Sequence, residues 1–488
     1  MKRTQTLFAL AAFVVLCAGC SDDSITPAGV NTLGSVNPSS FVAIGNSITA
    51  GYQDGALYEA AQRYSMPALL AGQLGTTMEQ PLCPGDGVGN RIRLASFTPL
   101  ALTSTPSASL PTNSTYPKPY NNLGVPGAVL FDALDTEDLS RKYVTRKNPY
   151  FQIVMRDQVA FGSSIVAQAL KLNPTLITFW LGNNDVLGFA TSGGTSPAAP
   201  TNATAFDMLY GNALSALRQG APNAAIVVAN IPDVRSIPFF TTVGPVMSET
   251  LKGKSQQLGV ALKLYFQAHG RTGPGLPSDS TDLMRENNVL IPLSGMAATA
   301  YIGDVTGAFW TAQGITPQQL AALNIDATKP FGLHPLNPWP DALVLDISEQ
   351  TTAANAVAAF NASIRSAVDR LNSSTPKPPM PIALVDVNAL LVKIASGGIS
   401  VAGEKLTAGF ISGGAFSFDG VHPSSKGNAV ITNEFLRVIN ATYGANIAYV
   451  DMSRIPGVQV PMGKAGILKS GLRATPGTFD AVVRLFSN

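Results

Sequence analysis

Cysteine is nearly absent from this chain. The three that occur are Cys17, Cys20 and Cys83, and two of them sit in an N-terminal stretch read below as a leader and its cleavage point, so no internal disulfide is available to staple the fold. Histidine is as scarce, at positions 269, 334 and 422. No Cys/His spacing of the zinc type exists, so no metal is expected, and no cofactor is implied. An excess of charge of one sign is missing too: 32 basic against 30 acidic residues leave a formal net charge of +2. Without a basic stripe to follow a phosphate backbone, a nucleic-acid partner is excluded. Long hydrophobic runs are also lacking. Leu7–Leu16 falls short of the roughly 18 to 20 residues a membrane-spanning helix needs, and nothing later approaches that length. What is present is a body with 45% hydrophobic residues, ample for a well-packed globular core.

The first residues carry an address. Met1-Lys2-Arg3 is basic, Leu7–Leu16 is almost wholly apolar, and Cys17-Ala18-Gly19-Cys20 ends the run on small residues, the pattern of a secretory signal. Leu16-Cys17-Ala18-Gly19-Cys20 resembles the lipobox of bacterial lipoproteins. The resemblance implies that residues 1–19 are removed and that Cys20 becomes a lipidated first residue, anchoring the protein to a membrane through several acyl chains. Ser21, where an aspartate would retain the protein, implies delivery to the outer membrane, on its periplasmic or its surface face. A plain signal peptide with another cleavage point is the alternative. Residues 20–37 read as a polar tether and 38–488 as the folded body. Cys83, with no local histidine or basic group, reads as a structural thiol.

Strand and helix patterns alternate through that body. Phe41-Val42-Ala43-Ile44 is a short buried strand running into Gly45-Asn46-Ser47, which puts Ser47 at a strand's carboxyl end, the edge that holds ligands in open α/β sheets. Ser65 as cap, Pro67 in the first turn and Gly75 as stop predict a helix. Ser164 predicts another as far as Leu172, followed by strands over Leu176–Leu181 and Ile226–Ile231. Val357, Phe360, Ile364, Val368 and Leu371 recur at helical spacing before a strand at Ile382–Val385. Pro423 and Ser424 open a last helix with Val430, Ile431, Phe435 and Val438 inward. The expected fold is a three-layer α/β/α sandwich with a central parallel sheet. About 200 residues suffice for it, so 76–118 and 236–345 read as insertions, and Gly85–Gly89 as a loop. Phe239, Phe240, Tyr301, Phe309 and Trp310 either line a cap formed by the second insertion or make up its own core.

Four local patterns bear on chemistry. A hydroxyl attacks a carbonyl at neutral pH only with a base to take its proton, a carboxylate to orient the base, and donors for the oxyanion. Ser47 follows a strand in Gly45-Asn46-Ser47-Ile48. Gly127 lies in Asn121-Asn122-Leu123-Gly124-Val125-Pro126-Gly127-Ala128, Asn184 in Gly182-Asn183-Asn184-Asp185 at another strand end, and Asp419 precedes His422 by three residues in a glycine-containing loop. Only His422 has a carboxylate at that spacing; His269 and His334 read as surface or satisfied histidines.

Taken in order, these four patterns resemble the blocks of the SGNH/GDSL family of serine esterases and lipases. The resemblance implies the flavodoxin-like version of the α/β/α fold and a set of roles. Ser47 is the nucleophile, His422 the base and Asp419 its orienting carboxylate. The oxyanion is held by the backbone N–H groups of Ser47 and Gly127 and by the side chain of Asn184. Asn46 departs from the family's usual aspartate while keeping its size and one acceptor. The implied activity is hydrolysis of an acyl ester (a lipid, a small ester or an acylated glycan) at the bacterial envelope. Two alternatives remain open: a polysaccharide O-deacetylase of the same mechanism, and a ligand-binding surface lipoprotein on a retired hydrolase scaffold.

Overall fold

The computed structural model describes residues 31–97, 100–195, 199–268, 279–281, 288–457 and 473–486. The signal, the lipobox with Cys20, most of the tether's length and His269 lie outside the described residues.

Five short strands, β1 (Phe41–Gly45), β2 (Asn122–Gly124), β3 (Leu176–Trp180), β4 (Ala225–Ala229) and β5 (Ile382–Val385), form one parallel sheet in the order β5-β4-β3-β1-β2. Eight helices bear on the site: α1 (Ser47–Ala50), α2 (Met66–Leu74), α3 (Ile165–Lys171), α4 (Asn184–Thr191), α5 (Ala203–Gly220), α6 (Ile347–Asn372), α7 (Ser425–Tyr443) and α8 (Asp480–Phe486). Three of their N-caps and one C-terminal stop are the ones the sequence signals. Ser65, Ser164 and Ser424 accept from the N–H groups of Ala68, Ala167 and Gly427, and Gly75 ends α2 in the left-handed region at φ 67°.

Side chains alternate across a strand, and the sheet sorts them into two cores. Val42, Ile44, Phe179 and Val228 meet Phe206 and Tyr210 of α5 and Phe360 of α6. Phe41, Ala43, Trp180 and Val227 meet Leu70 of α2 and Phe435 of α7. Burial on both faces explains why these strands are continuous apolar runs rather than half-polar ones. The fold is therefore the α/β sandwich with a central parallel sheet that the sequence predicts. Its strand order places the reversal of direction between β1 and β3, where open α/β sheets leave a crevice at the strands' carboxyl ends.

The first insertion differs from its sequence reading. Within 76–118, Val88–Phe97 and Leu100–Ala108 pair as an antiparallel ribbon with an irregularity between Leu94 and Ser96. Val88 and Gly89, expected in a loop, open its first strand. In the second insertion Phe239, Phe240, Phe309 and Trp310 are buried. Phe331 stacks on Phe309 at 4.2 Å and lies 5.8 Å from Trp339, and Tyr301 lies 5.8 Å from Phe309, while Phe239 packs against Phe479 outside the insertion and donates its N–H to the Gly420 carbonyl at 2.9 Å. The helix after Pro423 is not the last: Arg473–Ala474 adds a parallel edge to the ribbon and leads into α8. Among the described residues no helix is long and apolar enough to cross a membrane.

Candidate active site

β1 ends at Gly45 and the chain turns at once into α1. A side chain at Gly45 would come within 2.0 Å of the Thr49 hydroxyl, so the turn admits only glycine. Asn46 caps α1 by accepting from the N–H of Ile48 at 3.1 Å, which uses the one acceptor it shares with an aspartate. Ser47, the first residue of α1, is thereby fixed above the carboxyl end of β1, beside β3.

His422 reaches Ser47 from 375 residues away. The loop that carries it is closed by a hydrogen bond from the N–H of Ser417 to the carbonyl of His422 at 2.9 Å and turned by Gly420 at φ 72°. Asp419 Oδ1 accepts the N–H groups of Val421 and His422, each at 2.9 Å. Its Oδ2 lies 2.9 Å from His422 Nδ1, and His422 Nε2 lies 2.8 Å from Ser47 Oγ. Burial pushes the Asp419 carboxyl up, but the adjoining His422 ring and its hydrogen bonds outweigh that and hold it below the usual range. A carboxylate, an imidazole and a hydroxyl thus stand in series, with the carboxylate fixing which ring nitrogen carries the proton.

A turn that sequence reasoning passed over grips the same loop. Asp54 and Gly55 both have positive φ, 53° and 76°. The N–H of Gly55 donates to Asp419 Oδ2 at 3.0 Å, that of Asp54 to Ser417 Oγ at 3.1 Å, and that of Phe418 to Asp54 Oδ1 at 2.8 Å. Burial pushes the Asp54 carboxyl up to about 6 against the pull of hydrogen bonds from Tyr58 and Phe418. An Asp-Gly pair is a turn signature; what it would hold was invisible.

On the other side of Ser47, Gly127 follows β2 at φ 80°, and a Cβ there would come within 2.7 Å of Asn148 Nδ2. Asn184 opens α4, and its Nδ2 donates to the carbonyl of Ala128 at 2.8 Å. That bond ties the Gly127 turn to the end of β3 and uses one of the two amide hydrogens. Asp185 braces the same turn: its Oδ2 accepts the N–H of Leu130 and its Oδ1 the hydroxyl of Thr201, both at 2.8 Å, and burial pushes its carboxyl up to about 7. The imidazole of His422 lies near two aromatic rings, Tyr52 at 4.8 Å and Phe486 at 5.8 Å between centroids. Phe486 was also missed, since a lone terminal aromatic carries no sequence signal.

The structure brings Ser47, Gly127, Asn184, Asp419 and His422 to one carboxyl edge of the sheet. His334 is not among them; its Nδ1 accepts from Leu336 within its own loop at 3.1 Å. Cys83 is buried, which pushes its thiol up to about 12. Among the described residues no group of three or more His, Cys, Asp or Glu could hold a metal ion.

Residues 41–275 match the family of GDSL-like lipases and acylhydrolases. This stretch is an SGNH/GDSL-family hydrolase domain, and it gives the protein serine hydrolase activity with the general mechanism of an esterase. The match takes in β1 to β4 with Ser47, Gly127 and Asn184; Asp419 and His422 lie beyond it. No curated protein and no solved structure matches the chain.

Proposed function

We propose that this protein hydrolyses carboxylic esters through a covalent acyl-enzyme on Ser47. Ser47 Oγ attacks the ester carbonyl while its proton passes to His422 Nε2. The resulting oxyanion is held by the N–H groups of Ser47 and Gly127 and by the free amide hydrogen of Asn184. The imidazolium, stabilised by Asp419, then gives its proton to the departing alcohol. A water activated by His422 releases the acid and restores Ser47. The observation that carries this reading is the buried series Asp419–His422–Ser47, with contacts of 2.9 and 2.8 Å. Steady-state hydrolysis of p-nitrophenyl butyrate tests it. Ser47→Ala is expected to lower kcat by about 10⁴-fold or more, and a variant as active as the wild type would end the proposal.

We also propose that the enzyme works at the bacterial envelope, tethered through lipid on Cys20. The lipobox-like sequence before Cys20 and the polar stretch after it support this. Metabolic labelling with an alkynyl fatty acid is expected to mark the wild type and not Cys20→Ser. Equal labelling of both, or of neither, would count against the anchor.

A further inference from the structure

Every side chain that would meet an ester is shut off from solvent: Ser47 is 2%, His422 1% and Asn184 6% exposed. The chain's own α8 packs against the Gly127 turn, α4 and the His422 ring. A Cβ on Gly127 would come within 2.9 Å of the Leu485 carbonyl oxygen and 3.2 Å of Leu485 Cδ1, and a Cβ on Gly188 of α4 within 2.1 Å of the Phe486 carbonyl oxygen. Phe486 lies nearly parallel to the His422 ring, at 29°. Two glycines, one on the oxyanion turn and one in the helix that begins with Asn184, therefore make room for the last turn of α8.

The helix is two-sided. Val482, Leu485 and Phe486 are buried, with Phe479 before them against Phe239, while Asp480 and Arg484 face solvent. Seven residues are too few to hold a helix in water, so α8 is helical because its apolar face is docked. A reacting carbonyl carbon must come within about 3 to 3.5 Å of Ser47 Oγ, next to the Gly127 and His422 surfaces that Leu485 and Phe486 now cover.

We infer that α8 is the roof of the substrate site and that Leu485 and Phe486 are its specificity-determining residues. An ester reaches Ser47 by taking the space these side chains fill, and the apolar surface they leave is matched by an apolar acyl chain. The substrate class is accordingly an ester of an apolar acid. This rests on the acyl-enzyme reading above.

The test uses the full-length protein, Val482→Asp to lift the helix and Phe486→Ala to thin the roof. Each is compared with the wild type for its rate of labelling by a small ethyl fluorophosphonate and for its preference among p-nitrophenyl acetate, butyrate and octanoate. A site closed more than nine-tenths of the time gains about tenfold or more in labelling rate when opened, the result expected for Val482→Asp. Phe486→Ala, shown to be folded by circular dichroism at the assay temperature, is expected to raise kcat/KM for octanoate relative to acetate by about tenfold. Labelling rates and chain preferences equal to the wild type in both variants, or lower labelling in a folded Phe486→Ala, would overturn the roof. If folded wild type and both variants all fail to label, the acyl-enzyme reading falls first and this inference with it.

Discussion

His422 is held by a carboxylate at one ring nitrogen, a serine hydroxyl at the other, and contacts with the rings of Tyr52 and Phe486. With so little freedom left, the orienting role should be separable from the basic one. Asp419→Asn is expected to leave the fold intact and lower kcat by about 10⁴-fold, because an amide favours the wrong tautomer; rates with p-nitrophenyl butyrate check this. Asn184→Ala is expected to cost about 10² to 10³ in kcat with little change in KM, as loss of one oxyanion donor does. Away from the site, burial pushes the Glu349 carboxyl up to about 8 and that of Asp341 up to about 7. Folded-state values above the unfolded ones mean that the native protein binds more protons than the unfolded chain between about pH 4.5 and 8, so their contribution to stability is full at low pH and lost as pH rises through that window. Glu349→Gln keeps the acceptor that completes the capping box with Asp346 and should show a smaller fall in Tm between pH 5 and pH 8 than the wild type does.

At the scale of elements, the sequence was legible where periodicity and caps agreed. The repeat from Val357 to Leu371 marks α6, whose Phe360 stacks on Phe206 at 3.9 Å. Phe360→Ala is expected to cost about 3 to 5 kcal/mol, since a fully buried ring leaves a cavity; denaturant unfolding measures it. The start of α6, ten residues before that repeat, is set by Asp346 and Glu349 rather than by apolar spacing. The ribbon of Val88–Phe97 and Leu100–Ala108 was hidden for a different reason. Its exposed positions include Arg93, Ala95, Thr105, Pro106 and Ala108, and among the described residues only Val88, Ile92, Leu100 and Leu102 are buried, so its composition resembles a loop's. Asp54–Gly55 carries a local turn signature, yet its bonds to residues 417–419 join positions more than 360 apart, which no local pattern encodes.

Across the whole molecule, four chain segments separated by up to 375 residues meet at one edge of the sheet. Strand order explains the convergence: β1 delivers Ser47, its neighbour β2 the Gly127 turn, and its other neighbour β3 Asn184, while the loop before α7 crosses over the top with Asp419 and His422. That much follows from strands ending in short motifs. The docking of α8 does not, because a seven-residue helix after the α/β core gives no sign of where it will pack. The most direct measurement is mass spectrometry of tryptic peptides after treatment with a fluorophosphonate. The account predicts one phosphonyl adduct, on Ser47, abolished in Ser47→Ala and strongly slowed in His422→Ala. An adduct on a different serine, or none on a folded wild-type protein that still hydrolyses esters, would contradict it.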